Sequence, residues 1–162
     1  MTRSQGGRKP LLGEAEWYAS LPSFTASGAA LLTDASDAVL LVKPWYRDYW
    51  LLPGGVTEAG ESPRQCAERE AEEEVGIVVT ATALLVVHWM PPDDPRRATF
   101  AFVFDCGTLS DRNAVRLQAE ELDDFAFLPI DQAASRMAPP GARRLTRAWQ
   151  ARESGHPAYL ER

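Results

Sequence analysis

Residues 55–77 read GVTEAGESPRQCAEREAEEEVGI, and this stretch contains the best-delimited helix of the sequence. Ser62 is a favourable N-cap residue, and Gln65 completes a capping box with it. Pro63 suits the first helical position, where its missing N–H would be unpaired in any residue. A glycine able to adopt the left-handed conformation follows the last helical position. The sequence therefore predicts a helix over residues 63–75.

One edge of this helix is apolar and narrow. At 100° per residue, Ala67, Ala71 and Val75 fall on the same stripe. Their side chains are small, so the helix can approach a β-sheet closely. We expect this stripe to be buried.

A second stripe consists of carboxylates. Glu70, Glu73 and Glu74 follow the i, i+3, i+4 spacing, so their side chains lie side by side and repel one another. Arg69 can reach Glu73 at i+4, but one guanidinium does not neutralise the whole cluster. A solvated acidic face is one interpretation, and a site for a hard divalent cation, first of all Mg²⁺, is the other.

The residues around the helix favour the metal site. From Gly55 to Ile77 the chain follows the pattern G-x5-E-x7-R-E-U-x-E-E-x-G-U, in which U is apolar. This pattern resembles the box of the Nudix hydrolase family. The resemblance implies an α/β fold, an α/β/α sandwich with a mixed β-sheet and a loop-helix-loop catalytic motif.

The resemblance also implies roles for individual residues. Arg69 pairs with and orients a glutamate, whereas Glu61 and Gly76 brace the motif. The ligands of a divalent metal, Mg²⁺ or in its place Mn²⁺, are the Gly55 carbonyl and the carboxylates of Glu70, Glu73 and Glu74.

By the same resemblance, the activity is hydrolysis of a nucleoside diphosphate linked to another group, X, by attack of water on phosphorus. The base that activates the water is either a box glutamate, Glu73, or a glutamate of the acidic loop that precedes the predicted strand 125–130. In that loop Glu121 is the first candidate and Glu120 the second. We expect His88, within an apolar strand, and His156, near the C-terminus, to be structural.

The group X is less defined by the sequence. A nucleoside triphosphate or a nucleotide sugar is the expected substrate, with ADP-ribose as the alternative. Pro92 lies near the position where ADP-ribose-cleaving family members often carry a proline, but the Gly and Glu that usually follow it are missing. The candidate substrate-binding side chains are Arg47, Tyr49, Trp89 and Arg97.

Two rival functions use the same fold. A non-catalytic nucleotide-binding regulator would normally lose box glutamates, and all are present here. A diphosphate isomerase would need a nucleophilic cysteine, for which Cys66 inside the helix is poorly suited.

Composition and charge narrow the class of protein. The chain has 162 residues, 45% of them hydrophobic and 25% charged, as in an ordinary globular domain. It contains no long apolar run and no signal-peptide pattern, so we expect a cytoplasmic protein without a membrane segment. Two cysteines, Cys66 and Cys106, predict no disulfide framework. The net charge of −6 argues against non-specific nucleic-acid binding.

The remaining segments alternate between strand and helix patterns. The predicted strands are 24–32, 38–43, 49–52, 77–90, 98–106 and 125–130. The other predicted helices are 131–137 and 142–153, and 13–20 is predicted as a short helix or a turn. The predicted division is an N-terminal arm (1–22), a Nudix hydrolase domain (23–153) and a C-terminal tail (154–162).

Two segments outside the motif predict assembly. Trp17 and Tyr18 near the N-terminus, and Leu145 and Trp149 on the last helix, offer apolar surface. We expect a homodimer. The alternative is that the last helix covers the sheet of its own subunit.

Overall fold

The computed structural model describes residues 12–161. Its helices and strands, in chain order, are α1 (Glu14–Ala19), β1 (Thr25–Asp34), β2 (Val39–Pro44), β3 (Gly54–Val56), α2 (Pro63–Val75), β4 (Ala83–Met90), β5 (Thr99–Leu109), β6 (Leu122–Leu128), α3 (Ile130–Ser135), α4 (Pro139–Ser154) and β7 (Ala158–Glu161).

The strands form one mixed β-sheet. Their order is β6-β2-β1-β5-β4-β7, and β3 also pairs with β1. The pairs β1–β5 and β4–β7 are parallel, whereas the other pairs are antiparallel. Helix α2 covers one face of the sheet, and α3 and α4 cover the other. The predicted α/β/α sandwich is confirmed.

Both faces of the central strands are buried. In β1, Ala30 and Leu32 point into the core under α2, and Leu31 points into the core under α4. In β2, all four residues from Val39 to Val42 are fully buried. A strand covered on both faces has an uninterrupted apolar run, and this explains the lack of alternation in its sequence.

Helix α2 lies very close to β1. Ala67, Ala71 and Val75 are fully buried, as the narrow apolar stripe predicts. A side chain on Gly28 of β1 would overlap the carbonyl oxygen of Pro63 and lie 2.9 Å from the amide nitrogen of Ala67. The close approach therefore depends on small residues on both elements.

The bounds of several predicted strands are wrong: the strand predicted over 125–130 is Leu122–Leu128, and the one predicted over 98–106 is Thr99–Leu109. Two others differ further. Residues 49–52 are not a strand: Trp50 and Leu51 make isolated bridges, and the strand is Gly54–Val56, beyond Pro53. The strand predicted over 77–90 begins only at Ala83. The preceding backbone is bonded elsewhere, since the amide of Ala81 donates to Glu68 of α2 (2.8 Å).

The C-terminal residues join the sheet. Ala158–Glu161 pairs in parallel with β4, although the sequence analysis assigned 154–162 to a tail. The strand pattern of this segment is short and follows Gly155, which ends α4. Only the pairing of the segment with β4 therefore reveals it as a strand. The boundaries 1–22, 23–153 and 154–162 stay predictions, and residues 1–11 of the arm lie outside the described chain.

The apolar stripe of α4 packs within its own subunit. Leu145 is fully buried, and Trp149 packs against the same core. Trp17 and Tyr18 of α1 remain exposed, at 49% and 61%. In residues 12–161 none of the helices combines the length and apolar character needed to cross a bilayer.

Candidate active site

Helix α2 is capped at both ends as the sequence predicts. The Ser62 hydroxyl accepts a hydrogen bond from the Gln65 amide (3.3 Å), and the Gln65 side chain accepts one from the Ser62 amide (3.0 Å). Gly76 has φ 69°, and its amide donates to Glu72 (3.0 Å). These caps set where the glutamates of α2 stand relative to the preceding loop.

The loop before α2 is tied to the helix through Glu61. Its carboxylate accepts a hydrogen bond from the Glu58 amide (2.9 Å) and another from Arg69 Nε (2.8 Å). One side chain thus closes the loop and links it to α2. This geometry suits the bracing role predicted for Glu61.

Arg69 contacts more carboxylates than its spacing indicated. Besides Glu61, its guanidinium pairs with Glu73 (2.8 Å) and with Glu70 (2.9 Å). The helical spacing revealed only the Glu73 contact, since the Glu61 contact depends on how the loop folds back. One box glutamate, Glu74, is left without this cation.

Glu74 is the buried carboxylate of the cluster, with 8% of its surface exposed. It accepts a hydrogen bond from the Gly54 amide (2.8 Å). No salt bridge to it occurs in the part of the chain that the structure describes. Burial, and then the neighbouring charges of Glu70 and Glu121, raise the pKa of Glu74 to about 8. Burial also raises the pKa of Glu70.

The backbone at Gly55 makes room for Glu70. A side chain at Gly55 would overlap the Glu70 carboxylate, so only glycine allows this carboxylate to lie against the loop. The Gly55 carbonyl accepts a hydrogen bond from the Cys66 thiol (3.2 Å). Burial raises the pKa of Cys66, which makes this residue a poor nucleophile.

These residues fit a hard divalent cation in their chemistry. Glu74, buried without a cation, and Glu70, which shares Arg69 with two other carboxylates, lie beside a loop carbonyl, and Mg²⁺ and Mn²⁺ prefer such oxygen donors. Among residues 12–161, however, no three His, Cys, Asp or Glu side chains converge as a preformed metal centre. Arg69 holds Glu70 and Glu73 in ion pairs instead.

The acidic loop predicted to supply a base approaches the cluster. The backbone carbonyls of Glu120 and Glu121 accept hydrogen bonds from the side chain and the amide of Trp45 (3.2 Å each). Glu121 contributes to the raised pKa values of Glu70 and Glu74, so it lies within electrostatic range of both. Its role as the base stays a prediction.

A cleft of about 280 Å³ adjoins the loop before α2. The residues around it include Arg47, Leu51, Gly55, Val56, Phe102 and Arg144. The Arg47 guanidinium lies 5.8 Å from the ring centre of Tyr49, so these two predicted substrate-binding residues are together.

The other two predicted substrate-binding residues lie elsewhere. Trp89 pairs with Phe100 across the sheet, and it is not part of the cleft wall. Arg97 follows β4 in the connecting loop, donates a hydrogen bond to Ser23 (3.2 Å) and lines a separate cavity of about 450 Å³. The sequence does not show whether Trp89 and Arg97 reach the cleft, because this depends on which end of each strand lies near the box.

Arg144 of α4 is a cleft residue that the sequence analysis missed. Its Nη1 donates to His88 Nδ1 (3.3 Å) and contacts the sulfur of Met90 (3.4 Å). The sequence offered one signal, the run of arginines without acids from Arg136 to Arg152, but it does not say which of them turns inward.

The buried His88 predicts a pH-dependent stability. Burial, and then the charges of Arg144 and Arg143, lower the pKa of His88 from 6.5 to about 4. Between these values the unfolded chain binds this proton and the folded protein does not, so the free energy of unfolding falls as the pH falls. At pH 5 this loss is about 2 kcal/mol relative to pH 7.

Urea unfolding at pH 7 and pH 5 measures this contribution. We expect His88→Gln to lose about 2 kcal/mol less than the wild type on acidification. His156→Gln, at an exposed histidine, is the matched control and should follow the wild type. Equal losses for wild type and His88→Gln would contradict the prediction.

Comparisons with known proteins agree with this architecture. A family model described as "NUDIX domain" matches residues 23–149. The chain is 32% identical over 120 residues to the uncharacterized Nudix hydrolase YvcI of Bacillus subtilis, covering 64% of this chain and 70% of the relative. It is 32% identical over 76 residues to an ADP-ribose pyrophosphatase of Methanocaldococcus jannaschii, 45% of either chain. The solved structure of a UDP-X diphosphatase superposes with a TM-score of 0.67 and 25% identity, covering 92% of this chain and 75% of the other.

Proposed function

The chain belongs to the Nudix hydrolase family, and from this premise we propose that it hydrolyses a nucleoside diphosphate linked to a further group, X. The observation that carries the proposal is the carboxylate cluster of α2, in which Glu74 is buried without a cation, beside a cleft lined by the strand Gly54–Val56 and two arginines. Anionic diphosphate would be repelled by these carboxylates alone. A divalent cation between them removes the repulsion.

Mg²⁺ is the cation of the proposal, and Mn²⁺ is a substitute for it. The groups that would hold it are the Gly55 carbonyl and the carboxylates of Glu70, Glu73 and Glu74. When bound, the cation neutralises diphosphate oxygens and stabilises the charge of an in-line displacement.

The remaining tasks belong to side chains of this protein. Arg69 orients Glu70 and Glu73 through its two ion pairs. We assign the role of the base, which accepts the proton of the attacking water, to Glu121, with Glu73 as the alternative within the box. Both are exposed, as a base that returns its proton to solvent must be.

For the substrate we propose a nucleoside triphosphate or a nucleotide sugar. Two similar proteins, named as a UDP-X diphosphatase and an ADP-ribose pyrophosphatase, support the class of a nucleoside diphosphate joined to X. ADP-ribose itself is the second candidate.

A substrate panel tests the proposed function. Nucleoside triphosphates, UDP-sugars and ADP-ribose are incubated with the protein and Mg²⁺ or Mn²⁺, and added phosphatase releases phosphate from the products. We expect turnover of at least one compound and no turnover in excess EDTA. Binding of a compound without turnover of any would indicate a non-catalytic nucleotide-binding regulator and contradict the proposed enzyme. Hydrolysis that is insensitive to thiol-blocking reagents would exclude the isomerase class, as the full burial of the Cys66 side chain leads us to expect.

We further propose that two copies assemble through the exposed surface of α1, since the stripe of α4 is already covered. Sedimentation at micromolar concentrations is expected to give a homodimer, and Trp17→Ser with Tyr18→Ser is expected to give monomers. The matched control is Val78→Ser, an exposed apolar residue elsewhere on the surface. A wild type that is monomeric at every concentration would end the dimer proposal.

A further inference from the structure

Arg144 is a half-buried cation without an acidic partner. Its only hydrogen bonds within residues 12–161 come from Nη1, to His88 and Met90. None of the salt bridges of the described chain involves it. By contrast, the inward-turned Arg69 and Arg152 both contact carboxylates.

This arrangement is unfavourable for the protein alone. Removing a guanidinium from water costs free energy unless an opposite charge or hydrogen-bond acceptors replace the water. Burial accordingly lowers the pKa of Arg144. A neutral side chain of similar length would fill the same space without this cost. The unpaired charge is therefore suited to an anion that arrives with a ligand.

The contact with His88 leaves one edge of the guanidinium available. A guanidinium has no acceptor, so Arg144 Nη1 donates and His88 Nδ1 accepts. Nε and Nη2, which together form a two-donor fork, make no hydrogen bond in the described residues. Such a fork matches two oxygens of a phosphate or a carboxylate.

The cleft brings Arg144 and the box together. Arg144 and Gly55 belong to the wall of the same cleft, and Arg47 adds a second cation to it. Leu52 and Phe102 supply apolar wall, which strengthens a charge pair by excluding water. A substrate whose diphosphate lies at Gly55 would extend its group X along this wall.

We propose that Arg144 binds an anionic group of X, so that the enzyme prefers substrates whose X carries a phosphate or carboxylate over those whose X is neutral. This inference rests on the proposed function. It narrows the substrate class to nucleoside triphosphates and acidic nucleotide sugars.

Three uridine nucleotides test the preference. UTP carries a phosphate in X and UDP-glucuronate a carboxylate, whereas UDP-glucose carries a neutral hydroxymethyl group in place of that carboxylate. We expect the wild type to have a kcat/KM at least about 10-fold higher for one or both charged compounds. A higher kcat/KM for UTP alone indicates that Arg144 binds a phosphate of X. A higher kcat/KM for UDP-glucuronate alone indicates that it binds a carboxylate. Equal values for all three would overturn the inference.

Variants assign the preference to Arg144. Arg144→Gln should lower kcat/KM for the charged compounds by about 10- to 100-fold, mainly through KM, and for UDP-glucose by less than about 3-fold. Arg144→Lys should retain part of the preference. Arg143→Gln is the control, since Arg143 is the exposed neighbour that bonds the Glu161 carbonyl outside the cleft. An unchanged preference in folded Arg144→Gln would overturn the assignment.

A binding measurement separates this inference from the proposed function. With Mg²⁺ and analogues of the three nucleotides in which a methylene group replaces the bridging oxygen of the diphosphate, so that no turnover occurs, calorimetry should give the wild type a tighter Kd for the UTP or UDP-glucuronate analogue than for the UDP-glucose analogue, and Arg144→Gln should lose the difference. Binding preference without any turnover would contradict the proposed hydrolysis alone. Turnover with no preference in either measurement would contradict the role of Arg144 alone.

Discussion

Glu74→Gln is expected to lower kcat by at least about 10²-fold without unfolding the protein. The substitution removes a charge that the proposed cation needs and keeps the volume of the side chain. The Gln oxygen can still accept the hydrogen bond of the Gly54 amide. Because the carboxylate is buried without a cation, the melting temperature should stay level or rise. Glu73→Gln is expected to lower kcat by a similar factor.

Steady-state kinetics at saturating Mg²⁺ and thermal unfolding check this prediction together. Glu72→Gln is the matched control, because Glu72 is an exposed residue of the same helix and no box position. Wild-type kcat in Glu74→Gln would remove Glu74 from the metal site. A fall in kcat that accompanies a large fall in melting temperature would show a structural role instead.

Gly28→Ala is expected to destabilise the whole domain. The added methyl group would overlap the carbonyl oxygen of Pro63 and approach the amide nitrogen of Ala67 to 2.9 Å. Both atoms belong to the backbone of α2, so no side-chain rotation relieves the overlap and the helix must move away from β1. Overpacking of this kind costs about 1–3 kcal/mol, which lowers the melting temperature by roughly 2–12 °C.

The same substitution should also lower activity, because α2 carries the glutamates that adjoin the cleft. Gly13→Ala is the control: its added methyl group would lie 3.8 Å from the Glu16 carboxylate, an ordinary contact. Differential scanning calorimetry on the three proteins measures the effect. A melting temperature of Gly28→Ala equal to that of the wild type would mean that α2 does not lie as close to β1 as described.

Elements with local signals were predicted most accurately. Helix α2 begins at Pro63 and ends at Val75 as expected, because its capping box and C-terminal glycine act within one turn of the chain. Strands without such signals were less accurate. Residues 77–82 have the composition of a strand, but the backbone at Ala81 and Thr82 bonds to Glu68 and to Asp105 before β4 begins.

The candidate site divides in the same way. The order and spacing of Glu70, Glu73 and Glu74 were evident, because a helix repeats every 3.6 residues. The spacing did not show that Arg69 would pair with three carboxylates and leave Glu74 without a cationic partner. The sequence also grouped Trp89 and Arg97 with Arg47 and Tyr49 as candidate substrate-binding residues. The fold separates the first two from the other two.

The caps of α2, the carboxylate stripe and the family of the chain are evident from the amino-acid sequence, since these features depend on neighbours within a few residues. The burial of Glu74 without a cation, and the approach of Arg144 on the last helix to the cleft beside Gly55, are evident only in the folded protein. Burial and unpaired charge arise where distant segments exclude water from one another. No pattern within one segment contains that information.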